Sequence, residues 1–271
     1  MSRIRKAAVA GHFYPEDPTQ LKQELADFFS KVESKKKQNA FGMIAPHAGY
    51  IYSGQTASDV FSKIEIPSRV FILSPNHTGK GAPISMNTRG FWKTPLGDVK
   101  IDSDLADCFL KNFPLAKDEA EAHQEEHSLE VLLPFLQYLK RSFSFVPLTL
   151  QHLDYEVCEV LGWALAKSIR QTEEEVLIIA STDMNHYESQ SITLQKDQVA
   201  IDAILQMDPE TLYRQVHQQE VSMCGIIPTT IALVAAKTLG AQKAQLISHT
   251  TSGAVSGNYE QVVGYASFIL S

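Results

Sequence analysis

Three stretches of the chain place a histidine a few residues beyond an apolar run: Met43-Ile44-Ala45-Pro46-His47, Phe71-Ile72-Leu73-Ser74-Pro75-Asn76-His77, and Ile178-Ile179-Ala180-Ser181-Thr182-Asp183-Met184-Asn185-His186. Imidazole is the commonest metal-ligating side chain and titrates nearest neutrality, so the pattern suits metal binding or acid–base chemistry. If each run is a strand, each histidine stands just past a carboxyl end, the edge of an open α/β sheet where ligands bind. Pro46 and Pro75 stop two of the runs and hold the next residues on a stiff turn. Cys224, in Ser222-Met223-Cys224-Gly225, adds a softer donor ahead of a helical pattern with Pro228 in its first turn. A helix N-terminus is expected to lower its pKa toward the metal-binding thiolate. Two such imidazoles and one thiolate would offer zinc, iron or copper two nitrogens and one sulfur, with a position open for water or substrate.

Other residues carry competing readings. Gly49 and Gly54 flank Tyr50 and Tyr52, which read either as ligand contacts or as core aromatics. Cys108 and Cys158 fall within helical patterns and read as buried, inert thiols. His123-Gln124-Glu125-Glu126-His127 matches the H-x-x-E-H arrangement of inverted zinc peptidases, in which two histidines one helical turn apart bind zinc and a glutamate serves as base. The same acidic run, Asp118 to Glu126, also suits a helix N-terminus with Ser128 as its cap. A further reading makes the cleft a non-catalytic module that holds an anionic peptide or small acid through imidazolium groups and helix N-termini.

These residues need elements to position them. After Asp17-Pro18, the residues Leu21, Leu25, Phe28, Phe29 and Val32 recur at helical spacing until the basic stretch Lys35 to Lys37. Strands over 41–45 and 70–73 bracket a helix over 55–64, a β-α-β unit. Residues 82–101 break into short alternating pieces around Gly90, Pro95 and Gly97, which predicts an antiparallel meander near the sheet edge. Helices are expected over 104–111 and over 128–140, the latter kinked at Pro134. Another is expected over 155–170, with Val157, Val160, Leu161, Ala164, Leu165 and Ile169 inward, and more over 194–205, 209–217 and 227–239. Strands over 143–150, 176–180, 245–250 and 262–269 complete an α/β alternation that no flexible linker interrupts, which favours one domain over 1–271.

The composition narrows the function classes. The 271 residues include 24 Lys and Arg against 31 Asp and Glu, a formal charge of −7, which argues against a nucleic-acid partner. With 44% hydrophobic and 20% charged residues the chain is globular rather than disordered. Apolar runs such as 176–180 fall far short of the about 20 residues a membrane helix takes. The stretch 7–10 behind the basic start, Met1-Ser2-Arg3-Ile4-Arg5-Lys6, is too short for a signal-peptide core, so the expected location is cytoplasmic. Three widely spaced cysteines make no disulfide framework, whereas nine histidines hint at chemistry.

Several blocks together resemble a known family. They are Ala10-Gly11-His12-Phe13-Tyr14-Pro15, Ala45-Pro46-His47-Ala48-Gly49-Tyr50 with Tyr52-Ser53-Gly54, Pro75-Asn76-His77, Glu126-His127-Ser128-Leu129-Glu130, Ser181 through Tyr187, Met223-Cys224-Gly225, and Ser252-Gly253 through Val263-Gly264-Tyr265. In this order the chain resembles the Memo family, whose prokaryotic members are called AmmeMemoRadiSam system protein B. The resemblance implies a fold like that of class III extradiol dioxygenases, a central mixed sheet flanked by helices. It implies a pocket formed by His47, His77 and Cys224 with Asp183 and His186 beside it, iron or copper binding, and redox or oxygenase-type chemistry. With that ligand set His186 reads as an acid or base, Asp183 as orienting it or a bound water, and Asp183 and Asn76 as anchors of the imidazoles. His127 is then a cleft-facing donor beside the ligands and His123 lies outside. Phe13, Tyr50, Tyr52 and Asn76 are the implied contacts to an unknown small molecule or peptide, and animal relatives are described as binding phosphotyrosine peptides in this cleft. Functional association with radical SAM and AMME-type proteins is a further implication.

Overall fold

Met43 and Ala45 point into one layer of the molecule and Ile44 into the other, and the neighbouring strands repeat the alternation. Val70, Ile72, Leu177 and Ile179 join the first layer, Phe71, Leu73, Ile178 and Ala180 the second. All are buried, so these strands are covered on both faces, which is why they read as continuous apolar runs rather than as alternating ones. The computed structural model describes residues 3–32, 37–140 and 142–271. Met1 and Ser2 of the basic start, and Lys35 and Lys36 of the stretch after the first helix, lie outside the described residues.

The strands form a twelve-stranded mixed sheet among the described residues. At its centre Ser144–Leu150, Arg69–Pro75, Val176–Ser181 and Gly42–Ala45 lie side by side and parallel. Val262–Leu270 continues the sheet antiparallel to Gly42–Ala45 and pairs in turn with Ala244–Thr251 and His186–Glu188. Pro18–Ser30, Tyr50–Phe61 and Leu133–Leu139 cover one face through Leu21, Leu25, Val60 and Phe135. Ser103–Asn112, Tyr155–Arg170, Gln190–Leu205, Pro209–Gln218 and Ile226–Leu239 cover the other. Among the described residues no helix is long and apolar enough to cross a membrane.

Local chemistry sets several boundaries. Asp17 caps the first helix by accepting the N–H groups of Thr19 and Gln20, both at 2.9 Å, with Pro18 at its start. Pro134 opens the helix Leu133–Leu139 after a 3₁₀ turn over Glu130–Leu132, so it does not kink one long helix: proline lacks the N–H that a helix interior needs. The segment 82–101 is not a simple meander. Phe91–Thr94 and Gly97–Ile101 form a hairpin, whereas Ile84–Met86 pairs separately with the far end of Ser144–Leu150. Val160, expected inward, is 48% exposed, because the buried stripe of its helix runs through Cys158, Leu161, Leu165 and Ile169 instead.

Candidate metal centre

Because Val176–Ser181 lies between Gly42–Ala45 and Arg69–Pro75, all parallel, the three carboxyl ends deliver His47, His77 and the turn 182–186 to one edge. Cys224 joins them from just ahead of Ile226–Leu239. Gly225 makes that approach feasible: a Cβ there would sit 2.3 Å from the Ser181 carbonyl oxygen, and its N–H donates to Thr182 Oγ1 at 3.0 Å. One donor atom each from His47, His77 and Cys224 lies within 4.8 Å of the others, and His47 Nε2 is 3.3 Å from Cys224 Sγ. Nitrogen and sulfur bound to one zinc-like ion at tetrahedral angles lie about 3.5 Å apart. The spacing of His47 and Cys224 therefore suits one ion, and His77 brings a third donor atom within 4.8 Å of both.

The imidazoles are also aimed. Ser181 Oγ donates to the Ser128 carbonyl at 2.5 Å, so it can only accept from His47 Nδ1, 2.8 Å away. The ring proton thus sits on Nδ1 and the Nε2 lone pair faces Cys224. His77 Nδ1 donates to Glu126 Oε1 at 2.9 Å, and His186 Nδ1 donates to the Ser222 carbonyl at 2.7 Å, which leaves Nε2 of each free. Such partners fix the tautomer and orientation of metal-ligating histidines. Glu126 is buried and accepts three further donors, the N–H of His77 at 2.5 Å and the N–H and hydroxyl of Ser128 at 3.0 and 2.7 Å. Burial alone would raise its pKa, but the hydrogen bond and charge of His77 and the Ser128 N–H hold it down at about 2. His77, Glu126 and His127 form a second cluster of metal-ligand types. With its oxygens already filled by donors, Glu126 acts there as an anchor.

A cleft of about 770 Å³ opens over the cluster. His127 stacks on His77 with ring centroids 4.7 Å apart and packs against Phe13 at the same separation. Burial and the neighbouring histidines lower the pKa of His47 well below the ordinary value, burial brings His127 down to about 4, and burial lowers His186. Burial pushes Asp183 up to about 7 against the backbone N–H of His47, which donates to Asp183 Oδ1 at 2.8 Å.

Of the residues expected at the site, Phe13, His47, Tyr52, His77, His127, Asp183, His186 and Cys224 line this cleft. Tyr50 does not: it is buried among Tyr14, Phe28 and Phe135 and donates its hydroxyl to the Val131 carbonyl at 2.7 Å. Asn76 turns into its own loop, accepting from the N–H groups of Thr78 and Gly79 at 3.0 and 2.9 Å, and so is neither a cleft contact nor an anchor for an imidazole. Asp183 grips the backbone of His47, not the ring of His186, whose Nδ1 already belongs to Ser222. The thiol of Cys224 is not lowered by its helix: burial, then the charge of Asp183, push it up, so only a metal would make it a thiolate. Cys158 is buried as expected, whereas Cys108 is partly exposed.

His123 and His127 do not share a helix, because Glu121–Gln124 ends between them. His123 is wholly buried beside Trp92 with Nδ1 3.0 Å from Thr149 Oγ1, and it joins no metal-type cluster among the described residues. The peptidase geometry is therefore absent there. Glu126, Ser128, Ser181 and Ser222 are the site residues that reading the sequence missed as anchors. Glu126 stood in a run where acids are expected by composition, and serines carry no spacing signal.

Fold and site together define a mixed α/β protein with an imidazole–thiol cluster at the carboxyl ends of its central parallel strands. The chain belongs to the Memo-like protein family, which it matches over residues 5–269. It is 42% identical over 268 residues to a MEMO1 family protein of Aquifex aeolicus, with 98% of this chain and 99% of the relative covered. It is 38% identical to a MEMO1 family protein of Methanocaldococcus jannaschii, with both chains covered in full. The crystal structure of an uncharacterized Escherichia coli K12 protein, JW3007, has a similar fold at 11% identity and a TM-score of 0.52, covering 85% of this chain and 99% of that one.

Proposed function

We propose that the chain is a metal-dependent oxidoreductase that holds one iron or copper ion on His47, His77 and Cys224 and acts on a small molecule in the cleft above them. The observation that carries this reading is the convergence of one donor atom each from His47, His77 and Cys224 within 4.8 Å, with Nδ1 of each ring tied to a partner. In fold we place the chain with the class III extradiol dioxygenase type, in keeping with a mixed sheet that carries its site at strand ends. A bound iron or copper ion would supply Lewis acidity and one-electron redox chemistry. The chain's own residues do the rest. His186, with Nδ1 donating to Ser222, takes a proton from a substrate hydroxyl at Nε2. Glu126 and Ser181 hold the ligand rings, Asp183 holds the His47 backbone, and Phe13 and His127 wall the cleft from water.

The reading of the cleft as an anion trap has less support, since burial keeps His47, His127 and His186 neutral near pH 7. Metal content after anaerobic loading with iron(II) or copper(I) tests the proposal. The wild type should take up about one equivalent, and Cys224→Ala and His47→Ala much less. Equal uptake by all three would sink it.

A further inference from the structure

Among the described residues three non-glycine positions have a left-handed backbone: Tyr187 at φ 59°, Met207 at φ 54° and Glu220 at φ 50°. Met207 and Glu220 each stand one residue past a helix cap. The chain reverses there, and the next N–H groups, of Asp208 and Val221, return to the carbonyls of Ala203 and Val216. Tyr187 ends no helix. It lies between His186 and Glu188, where the pairing with Val262–Leu270 slips register, a bulge that turns one residue out of the ladder. Both flanks are held. The N–H of His186 donates to Ser222 Oγ at 2.7 Å, and Glu188 accepts from Asn185 Nδ2 at 2.7 Å and pairs with Lys196 at 2.8 Å. Glycine takes such a φ freely, whereas a residue with a Cβ is disfavoured in it. Tyr187 is 72% exposed, so packing of its ring does not offset that cost, yet the ring forms part of the cleft wall, its centroid 5.7 Å from that of His186.

We infer that Tyr187 covers the bound ligand, its ring lying against a flat apolar face of a small molecule seated over the metal-type cluster. Strain kept at an exposed position of a site's mouth, and a ring that meets little besides His186 until the cleft fills, have this account in common. Tyr52, 40% exposed, and Phe13 add aromatic surface to the same cleft, and its described lining contains no lysine or arginine. The matching ligand class is a neutral molecule with a planar apolar ring and a donor atom directed at the cluster. The inference rests on the proposed function for the metal that such a donor atom would meet.

The full chain loaded with cobalt(II), as a spectroscopic substitute, is titrated with imidazole and with 4-phenylimidazole, followed by the cobalt absorption and by ligand-observed NMR. The phenyl ring should raise affinity roughly three- to tenfold, the range of one aromatic contact. Tyr187→Gly should lose that gain with imidazole binding unchanged, and Tyr187→Phe should keep it. The Tm of metal-free Tyr187→Gly should be unchanged or higher, because glycine relieves the backbone. A merely structural residue would instead lower Tm and both affinities together. The same phenyl gain in Tyr187→Gly, or no gain in the wild type, overturns the inference. Binding of the phenyl probe without any change in the cobalt spectrum counts against the metal reading and leaves Tyr187 standing. No binding of either probe overturns both.

Discussion

Replacing Glu126 by glutamine keeps the shape of the side chain and changes only what it can accept. Oε2 takes the backbone N–H of His77, while Oε1 takes Nδ1–H of His77 and both donors of Ser128. An amide must set its NH₂ against at least one of these donors whichever way it is turned. Facing the N–H of His77, it orphans a partly buried donor, at a cost of about 1 kcal/mol, the low end of the range for a buried one. Facing Nδ1, it forces the imidazole to switch tautomer, and the proton moves to Nε2, the atom aimed at the cluster. Either outcome should weaken metal binding about 10- to 100-fold, as losses in the shell behind a ligating histidine do, which is roughly 1.4–2.7 kcal/mol. Competition with a chromophoric chelator for cobalt(II) measures it, with thermal melts of the metal-free proteins alongside. Asp102→Asn is the control. Asp102 is also buried and accepts four donors, from Arg69, Leu105 and Ser144, but at the opposite end of Arg69–Pro75 from His77. It should lower Tm and leave metal affinity unchanged. Wild-type metal affinity in Glu126→Gln, or an equal loss in the control, would show that Glu126 does not aim His77.

Gly264→Ala should destabilise the chain by roughly 1–3 kcal/mol through overpacking. The new Cβ would lie 2.0 Å from Asp197 Oδ2, the carboxylate that accepts the Asn185 N–H at 2.9 Å and pairs with His249 at 2.8 Å. A lower Tm and a shifted His186 NMR signal are expected, and an unchanged Tm would contradict the packing account. His123 should make the fold acid-labile. Burial lowers its folded pKa to about 3. Below about pH 6.5 the unfolded chain binds a proton that the folded one refuses, so stability should fall by about 1.4 kcal/mol per pH unit down to the folded value. Urea midpoints across that range should show a shallower slope for His123→Gln, with metal uptake unaffected. Identical slopes would discard the assignment.

Reading the sequence went furthest where one residue type settles local geometry. The fully apolar strands, the Asp17-Pro18 helix start and the histidines after Pro46 and Asn76 were legible because burial on both faces, capping and proline stiffness act within a few residues. Legibility failed where two distant segments share the decision. Val160 kept helical spacing yet faces solvent, because which stripe of a helix is buried depends on the neighbours it meets. Tyr50 and Tyr52 are two residues apart on one helix and so point to different sides, one into the core and one into the cleft.

The order of residues alone supplies the inventory of the site: imidazoles at strand ends, a thiol before a helix, and a succession of blocks shared with one family. Folding settles how that inventory is used. Parallel pairing brings His47 and His77 to one edge, the close approach of Gly225 to Ser181 and Thr182 adds Cys224, and Glu126, Ser181 and Ser222 choose which nitrogen of each ring is free. The difference is one of range. Capping, proline stiffness and apolar periodicity act over a few residues, whereas a tautomer or a buried thiol's pKa depends on groups that only folding places within about 3 Å.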